Sequence, residues 1–179
     1  LYDGFDRLRS SQYMRVHGAW VAETTQYDSF GRPIVRYQPT SGASNGRIAW
    51  TYDLLDRVTL VTDPLGYLTV SAYDAASRLV GTLDRNDNST LYYYNVLDRL
   101  LVVTDDQGGQ VSYTYDPLGN RLSVSDQNGS TTTTAYDALN RQVAVTDPLG
   151  GVTTMAYDEA GHLVSTTDTQ GFNVSRNDD

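Results

Sequence analysis

Short runs of β-branched, apolar and tyrosine residues alternate along this chain with tight clusters of Asp, Asn, Gly and Pro. Arg57-Val58-Thr59-Leu60-Val61-Thr62 is followed by Asp63-Pro64-Leu65-Gly66, and then by a second run from Tyr67 to Tyr73. Runs this short and this rich in Val, Thr and Tyr predict strands, and they leave no room for amphipathic helices. Asp-Pro-Leu-Gly suits a tight turn: Asp bonds its own backbone, Pro presets φ at the second place, and Gly fits the fourth. Strands of about six residues joined by such turns must pair antiparallel, since a parallel crossover needs roughly a dozen connecting residues. The prediction is an all-β chain of tandem hairpins.

The pattern is periodic. Tyr followed by Asp or Asn occurs at Tyr2, Tyr27, Tyr52, Tyr73, Tyr94, Tyr115, Tyr136 and Tyr157, in steps of 25, 25 and then five times 21. Other positions keep phase with it. Arg stands five residues after the tyrosine at Arg7, Arg32, Arg57, Arg78, Arg99 and Arg141, although Asn120 and His162 take its place in two units. Asp stands eleven after it from Asp63 to Asp168, and Gly fourteen after it at Gly66, Gly108, Gly129, Gly150 and Gly171. The chain thus divides into residues 1–51, two longer and less regular units, and residues 52–179, six regular ones. The excess in the second unit falls around Pro39 to Gly46, which reads as a lengthened loop.

Six regular hairpins supply about twelve strands, more than the roughly ten that a strongly twisted open sheet holds without curling. A spiralling sheet of stacked units is expected, its stability close to a sum of unit and interface terms. Residues seven and nine after the tyrosine, such as Thr59 and Val61 or Val143 and Val145, are apolar or β-branched in the regular units and predict one buried face. Tyrosines of consecutive units lie about 9.6 Å apart, two strand spacings, and an arginine plane between them would fill the gap. The Asp after each Tyr offers that arginine a charged partner.

Charge and composition narrow the partners. With 13 Lys+Arg against 22 Asp+Glu, a formal charge of -9, the chain has no basic cluster for phosphates, so nucleic acid is not an expected partner. No run of about eighteen apolar residues predicts a membrane span, and no membrane insertion by this segment is expected. Cysteine is absent, which removes disulfides, thiolate nucleophiles and Cys-based zinc sites.

Candidate chemistry is sparse. Asp84 to Asn88, Asp105 to Gly108 and Asp126 to Gly129 resemble calcium loops in composition but lack the length and terminal Glu of an EF-hand, and turn chemistry accounts for them. A glycosidase carboxylate pair should be singular, whereas these Asp are periodic. His17 and His162 lack a Ser or Cys companion. No catalytic, cofactor or metal residue is assigned. The cluster Tyr92-Tyr93-Tyr94, with Trp50, is the best candidate binding patch, although alternation puts Tyr92 and Tyr94 on one face and Tyr93 on the other.

Tyr115-Asp116-Pro117-Leu118-Gly119-Asn120-Arg121-Leu122 and Tyr136-Asp137-Ala138-Leu139-Asn140-Arg141, each with Asp and Gly following in phase, resemble the YD repeats of RHS proteins, which teneurins and the C components of insecticidal Tc toxin complexes share. The resemblance runs over essentially the whole chain. It implies stacked hairpins spiralling into a hollow shell that, in bacterial members, encloses a C-terminal toxin domain. It further implies that this stretch is a segment of a larger protein, secreted, surface-exposed or delivered by a bacterial secretion system. The expected partners are neighbouring repeats and a C-terminal cargo domain. The self-cleaving core motif of such shells has no counterpart here. The alternative is an extracellular module that binds glycans or a cell-surface protein.

Overall fold

The computed structural model describes residues 13–16, 19–38 and 46–175. Tyr2, Arg7, His17 and most of the lengthened loop at 39–46 lie outside the described residues. Every regular element among them is a strand. An isolated hairpin pairs β1 (Tyr13–Val16) with β2 (Ala19–Ala22). The chain then falls into two compact units, Leu1–Leu91 and Tyr92–Asp179.

In the first unit β3 (Thr24–Tyr27), β4 (Pro33–Gln38), β5 (Gly46–Tyr52), β6 (Val58–Thr62), β7 (Leu68–Tyr73), β8 (Leu79–Leu83) and the first half of β9 (Ser89–Tyr94) pair antiparallel, each with the next in chain order. The second unit repeats the arrangement through β10 (Leu100–Asp105), β11 (Gln110–Tyr115), β12 (Arg121–Ser125), β13 (Thr131–Tyr136), β14 (Gln142–Thr146), β15 (Val152–Tyr157), β16 (Leu163–Thr167) and β17 (Asn173–Ser175). The meander of tandem hairpins expected from the alternating runs is what forms.

Two kinds of turn alternate. One follows each repeat tyrosine; the other begins at the Asp eleven residues later. Both close in the same way. In the first kind the Asp56 amide donates to the Asp53 carbonyl at 3.3 Å and the Asp53 amide donates to the Arg57 carbonyl at 3.0 Å. In the second, the Gly66 amide donates to Asp63 at 3.0 Å and the Asp63 amide to Tyr67 at 2.9 Å. Each is a four-residue turn whose last residue must take a left-handed conformation, so that the following strand leaves with the right twist. Gly66 takes φ 88°, and Asp56, Ser77, Asp98 and Asn140 adopt φ between 62° and 67° at the equivalent place after the tyrosines. Asn, Asp and Ser tolerate that region better than bulky or β-branched residues do.

The first kind of turn shifts the register. Thr51 faces Leu60 while Tyr52 faces Val58, so Thr59 has no opposite residue. The same slip leaves Leu122, Val143 and Val164 unpaired in the second unit. These bulges correct the expected buried face. The residue seven after the tyrosine stands in a bulge, where alternation breaks, so of the two only the residue nine after it shares the tyrosine's face, as in Trp50 opposite Val61 and Tyr113 opposite Val124.

That face is half-buried rather than buried. Val35 is the one hydrophobic residue of the described set that reaches the buried class. The reason is architectural: among the described residues each strand's contacts within a unit are with its ladder neighbours, and no second layer of described strands covers them. Something other than a two-layer core must hold hairpin to hairpin.

Because a side chain at Gly66 would meet no atom within 4 Å, Gly66→Ala isolates the cost of its left-handed backbone. The expected outcome is a loss of about 1 kcal/mol in denaturant unfolding, with unchanged strand content by circular dichroism.

Candidate functional site

The repeat residues converge at the turns that follow the tyrosines. Asp53 accepts the Leu55 amide at 2.8 Å and the Arg57 amide at 3.1 Å on one carboxylate oxygen, and its other oxygen accepts Arg57 Nε at 2.7 Å. A single carboxylate thus satisfies two turn amides and fixes the guanidinium that opens the next strand. Asp74 with Arg78 and Asp137 with Arg141 reproduce it, each at 2.7 Å from Nε to the carboxylate.

The arginine then leaves its own hairpin. Arg57 lies 4.7 Å over the ring of Tyr73, the next repeat tyrosine, and donates to the carbonyl of Asp74 at 3.2 Å. Tyr73 reaches back, its hydroxyl donating to the Val58 carbonyl at 3.2 Å. Arg32 over Tyr52 at 4.7 Å and Arg141 over Tyr157 at 4.6 Å make the same step, with Tyr52 donating to Pro33 and Tyr157 to Gln142, each at 2.8 Å. Partial burial of Tyr52 pushes its phenol up. Each repeat tyrosine from Tyr52 on for which a hydroxyl bond is seen therefore bonds a carbonyl of the preceding unit, a link that strand spacing alone did not suggest.

Departures from the frame are compensated locally. Where Asn95 replaces Asp, Arg99 swings to the carbonyls of Asp116 at 2.6 Å and Pro117 at 3.1 Å, 5.9 Å from the Tyr115 ring. It passes so close to Gly119 that a Cβ there would stand 3.4 Å from the guanidinium. Asn120, in the arginine position, bonds the Asp116 carboxylate at 2.8 Å and the Asn140 side chain at 2.8 Å. Its neighbour Arg121 lies 6.0 Å from the ring of Tyr113, on the paired strand of its own hairpin. His162 substitutes through Nδ1, 3.0 Å from Asp158.

The other turns are capped by the Asp eleven after the tyrosine but mostly lack the clamp. Asp63, Asp105, Asp126, Asp147 and Asp168 each accept two amides of their own turn. Gly66, Gly108, Gly129, Gly150 and Gly171 all take positive φ there. In the first unit Arg85 lies 4.6 Å over Tyr67, a single analogue of the clamp at this row.

No three acidic or His side chains among the described residues gather in a way that could hold a metal ion. The carboxylates with calcium-like spacing are occupied by turn amides. Tyr93 is exposed while Tyr92 and Tyr94 are half-buried, as alternation requires. What the arrangement does chemically is bind each hairpin to the next.

The RHS Repeat family model matches residues 94–131, 115–152 and 136–172, three overlapping copies in the 21-residue phase. No curated protein sequence matches. Among solved structures, TcdB2-TccC3 without its hypervariable C-terminal region is similar at TM-score 0.66 and 18% identity, over 88% of this chain and 10% of that one. The Photorhabdus luminescens Tc holotoxin pore with a mutated TccC3 is similar at TM-score 0.67 and 18% identity, over 86% of this chain and 9% of that one. The chain therefore spans about a tenth of the length of these solved chains, and at such identity the likeness is one of fold.

The clamp carries a pH dependence. The side-chain bond from Arg57 holds Asp53 below the ordinary carboxylate value, the Asn120 side chain does so for Asp116, and the backbone amides of Arg141 and His162 do so for Asp137 and Asp158. Carboxylates held low in the folded state contribute stability that is present above their unfolded value near 3.9 and is lost as pH falls through the folded one. Urea midpoints should therefore hold steady from about pH 7 to 5 and decline below about pH 4. A midpoint that is unchanged down to about pH 2 would contradict the capping role.

Proposed function

Because this chain is an RHS-repeat protein, of the kind also called YD-repeat, we propose that its hairpins are wall elements of a shell that encloses a C-terminal toxin or effector domain of a longer protein. The observation that carries this reading is the clamp itself. Wherever the frame is kept, one repeat is fastened to the next by the same arginine, tyrosine and aspartate bonds, and among the described residues the sheet faces are only half-buried, which is the construction of an extendable wall.

The likeness to TcdB2-TccC3 and to the Tc holotoxin supports the reading at the level of fold. By that likeness the longer protein is secreted, surface-borne or delivered by a bacterial secretion system, and its role in this stretch is mechanical rather than catalytic. The walls isolate the cargo until delivery. The partners are then the neighbouring repeats and the cargo domain.

A second reading has one observation in its favour. Tyr67 and Tyr93 remain about half-exposed, at 46% and 51%, and tyrosine rings of that kind serve glycan and protein binding at low entropic cost. An extracellular adhesion module would use them.

Mass spectrometry of the intact full-length protein separates the two. A container keeps a C-terminal piece bound under native conditions and releases it only on denaturation. A single chain with no domain beyond the repeats would contradict encapsulation, and saturable glycan binding by the present chain would then support the adhesion reading.

A further inference from the structure

The two rows of turns differ in a way that the clamp does not require. In the second unit three of the four turns after the tyrosines carry Val96, Leu97, Leu118 and Leu139 at their tips, 96%, 61%, 73% and 72% exposed, and the fourth, after Tyr157, carries Glu159 and Ala160. The tips of the other row are Asp106-Gln107, Gln127-Asn128, Pro148-Leu149 and Thr169-Gln170, of which Leu149 alone is a large apolar residue. Three leucines recur at the same place in three successive repeats, with their side chains exposed. The first unit independently exposes Phe30 at 80% and Leu55 at 62% at the equivalent place.

Charge divides along the same line. At the apolar row Asp137 is paired with Arg141 at 2.7 Å within the turn, and Asp116 lies beside the Arg99 guanidinium that binds its carbonyl. At the other row of this unit, Asp105, Asp126, Asp147 and Asp168 cap amides and have no cation within ion-pairing distance among the described residues. In this unit the other rim thus carries Asp105, Asp106, Asp126, Asp147 and Asp168 with no arginine at its turns, while the apolar rim sets Arg99, Arg121 and Arg141 against Asp98, Asp116, Asp137, Asp158 and Glu159 and is the less acidic of the two. Two copies of this unit therefore repel least along that less acidic rim.

We infer that the apolar rim is a self-association surface on which a second copy of this chain docks rim to rim. The tips recur at two strand spacings, about 9.6 Å. A second copy carries the same interval, so the leucines of one row can seat between those of the other along its length. A helix offers apolar residues at about 10.5 Å, seven residues on, and drifts out of step. The area is modest. Three or four tips per copy fall short of the roughly 1,200 Å² of a standard interface, so the association is weak and concentration-dependent, and it strengthens with the number of repeats. Rows of this kind would let strips of repeats lie side by side.

Sedimentation equilibrium of the chain from about 10 μM to about 1 mM tests this. The weight-average mass should rise from monomer toward dimer across that range. The triple variant Leu97→Asp, Leu118→Asp, Leu139→Asp, whose altered side chains are all exposed, should weaken association at least about tenfold with an unchanged circular dichroism spectrum. Leu149→Asp, on the opposite rim, should associate as the parent chain does. A chain that stays monomeric throughout, a triple variant that associates unchanged through its strand edges, or an equal loss in Leu149→Asp would overturn the proposal.

Discussion

The guanidinium held between two hairpins is the interaction on which this structure depends. Arg57 and Arg141 are each gripped by the aspartate of their own turn and lie over the tyrosine of the next, whose hydroxyl returns to the first hairpin. A sheet whose faces are half-exposed cannot draw much stability from apolar burial. Its backbone ladder is indifferent to which side chains face each other. The clamp supplies what both lack, a specific link that recurs wherever the Asp, Arg and Tyr of the frame are kept and that combines a charge-assisted bond with a cation-over-ring contact. Lysine could not replace the arginine, since one ammonium cannot face a carboxylate edge-on and cover a ring at the same time.

This placement has a structural consequence. Because each unit is joined mainly to its neighbours, stability accumulates along the chain instead of residing in a single core. Irregular units are then tolerated singly. Asn120 keeps its turn through the Asp116 carboxylate although it cannot cover Tyr136, and His162 retains only the contact to Asp158. The tyrosine hydroxyl persists where the arginine is missing, with Tyr136 donating to the Arg121 carbonyl at 3.2 Å. The clamp is built from parts that fail separately.

Much of this was legible in the residues. The turns are written within four positions, by Asp, Pro and Gly whose effects are local, so the hairpins and their order follow from spacing. An arginine between tyrosines is expected from the strand interval, and Arg32, Arg57 and Arg141 each cover the ring of the next repeat tyrosine. The buried face did not follow, for two physical reasons. A period-2 reading presumes unbroken alternation, and the left-handed residue that ends each turn, such as Asp56 or Asn140, is accompanied by a bulge at the third residue beyond it. It also presumes a covering layer, whereas valines at strand positions here signal pleat-fitting shape more than burial. The tyrosine hydroxyl's reach to a carbonyl fifteen residues earlier depends on the stacked geometry, and no local pattern announces it. The separation of an apolar from an acidic rim emerges only once the two turn types are told apart.

A double-mutant cycle on Arg141 and Tyr157 examines the clamp most directly, with Arg141→Met keeping the aliphatic stem and Tyr157→Leu removing the ring. The account predicts that the two losses are coupled, with an interaction free energy of about 0.5–2 kcal/mol. Additive losses, with coupling near zero, would mean that the backbone ladder alone joins the hairpins and that the arginine over the tyrosine is incidental.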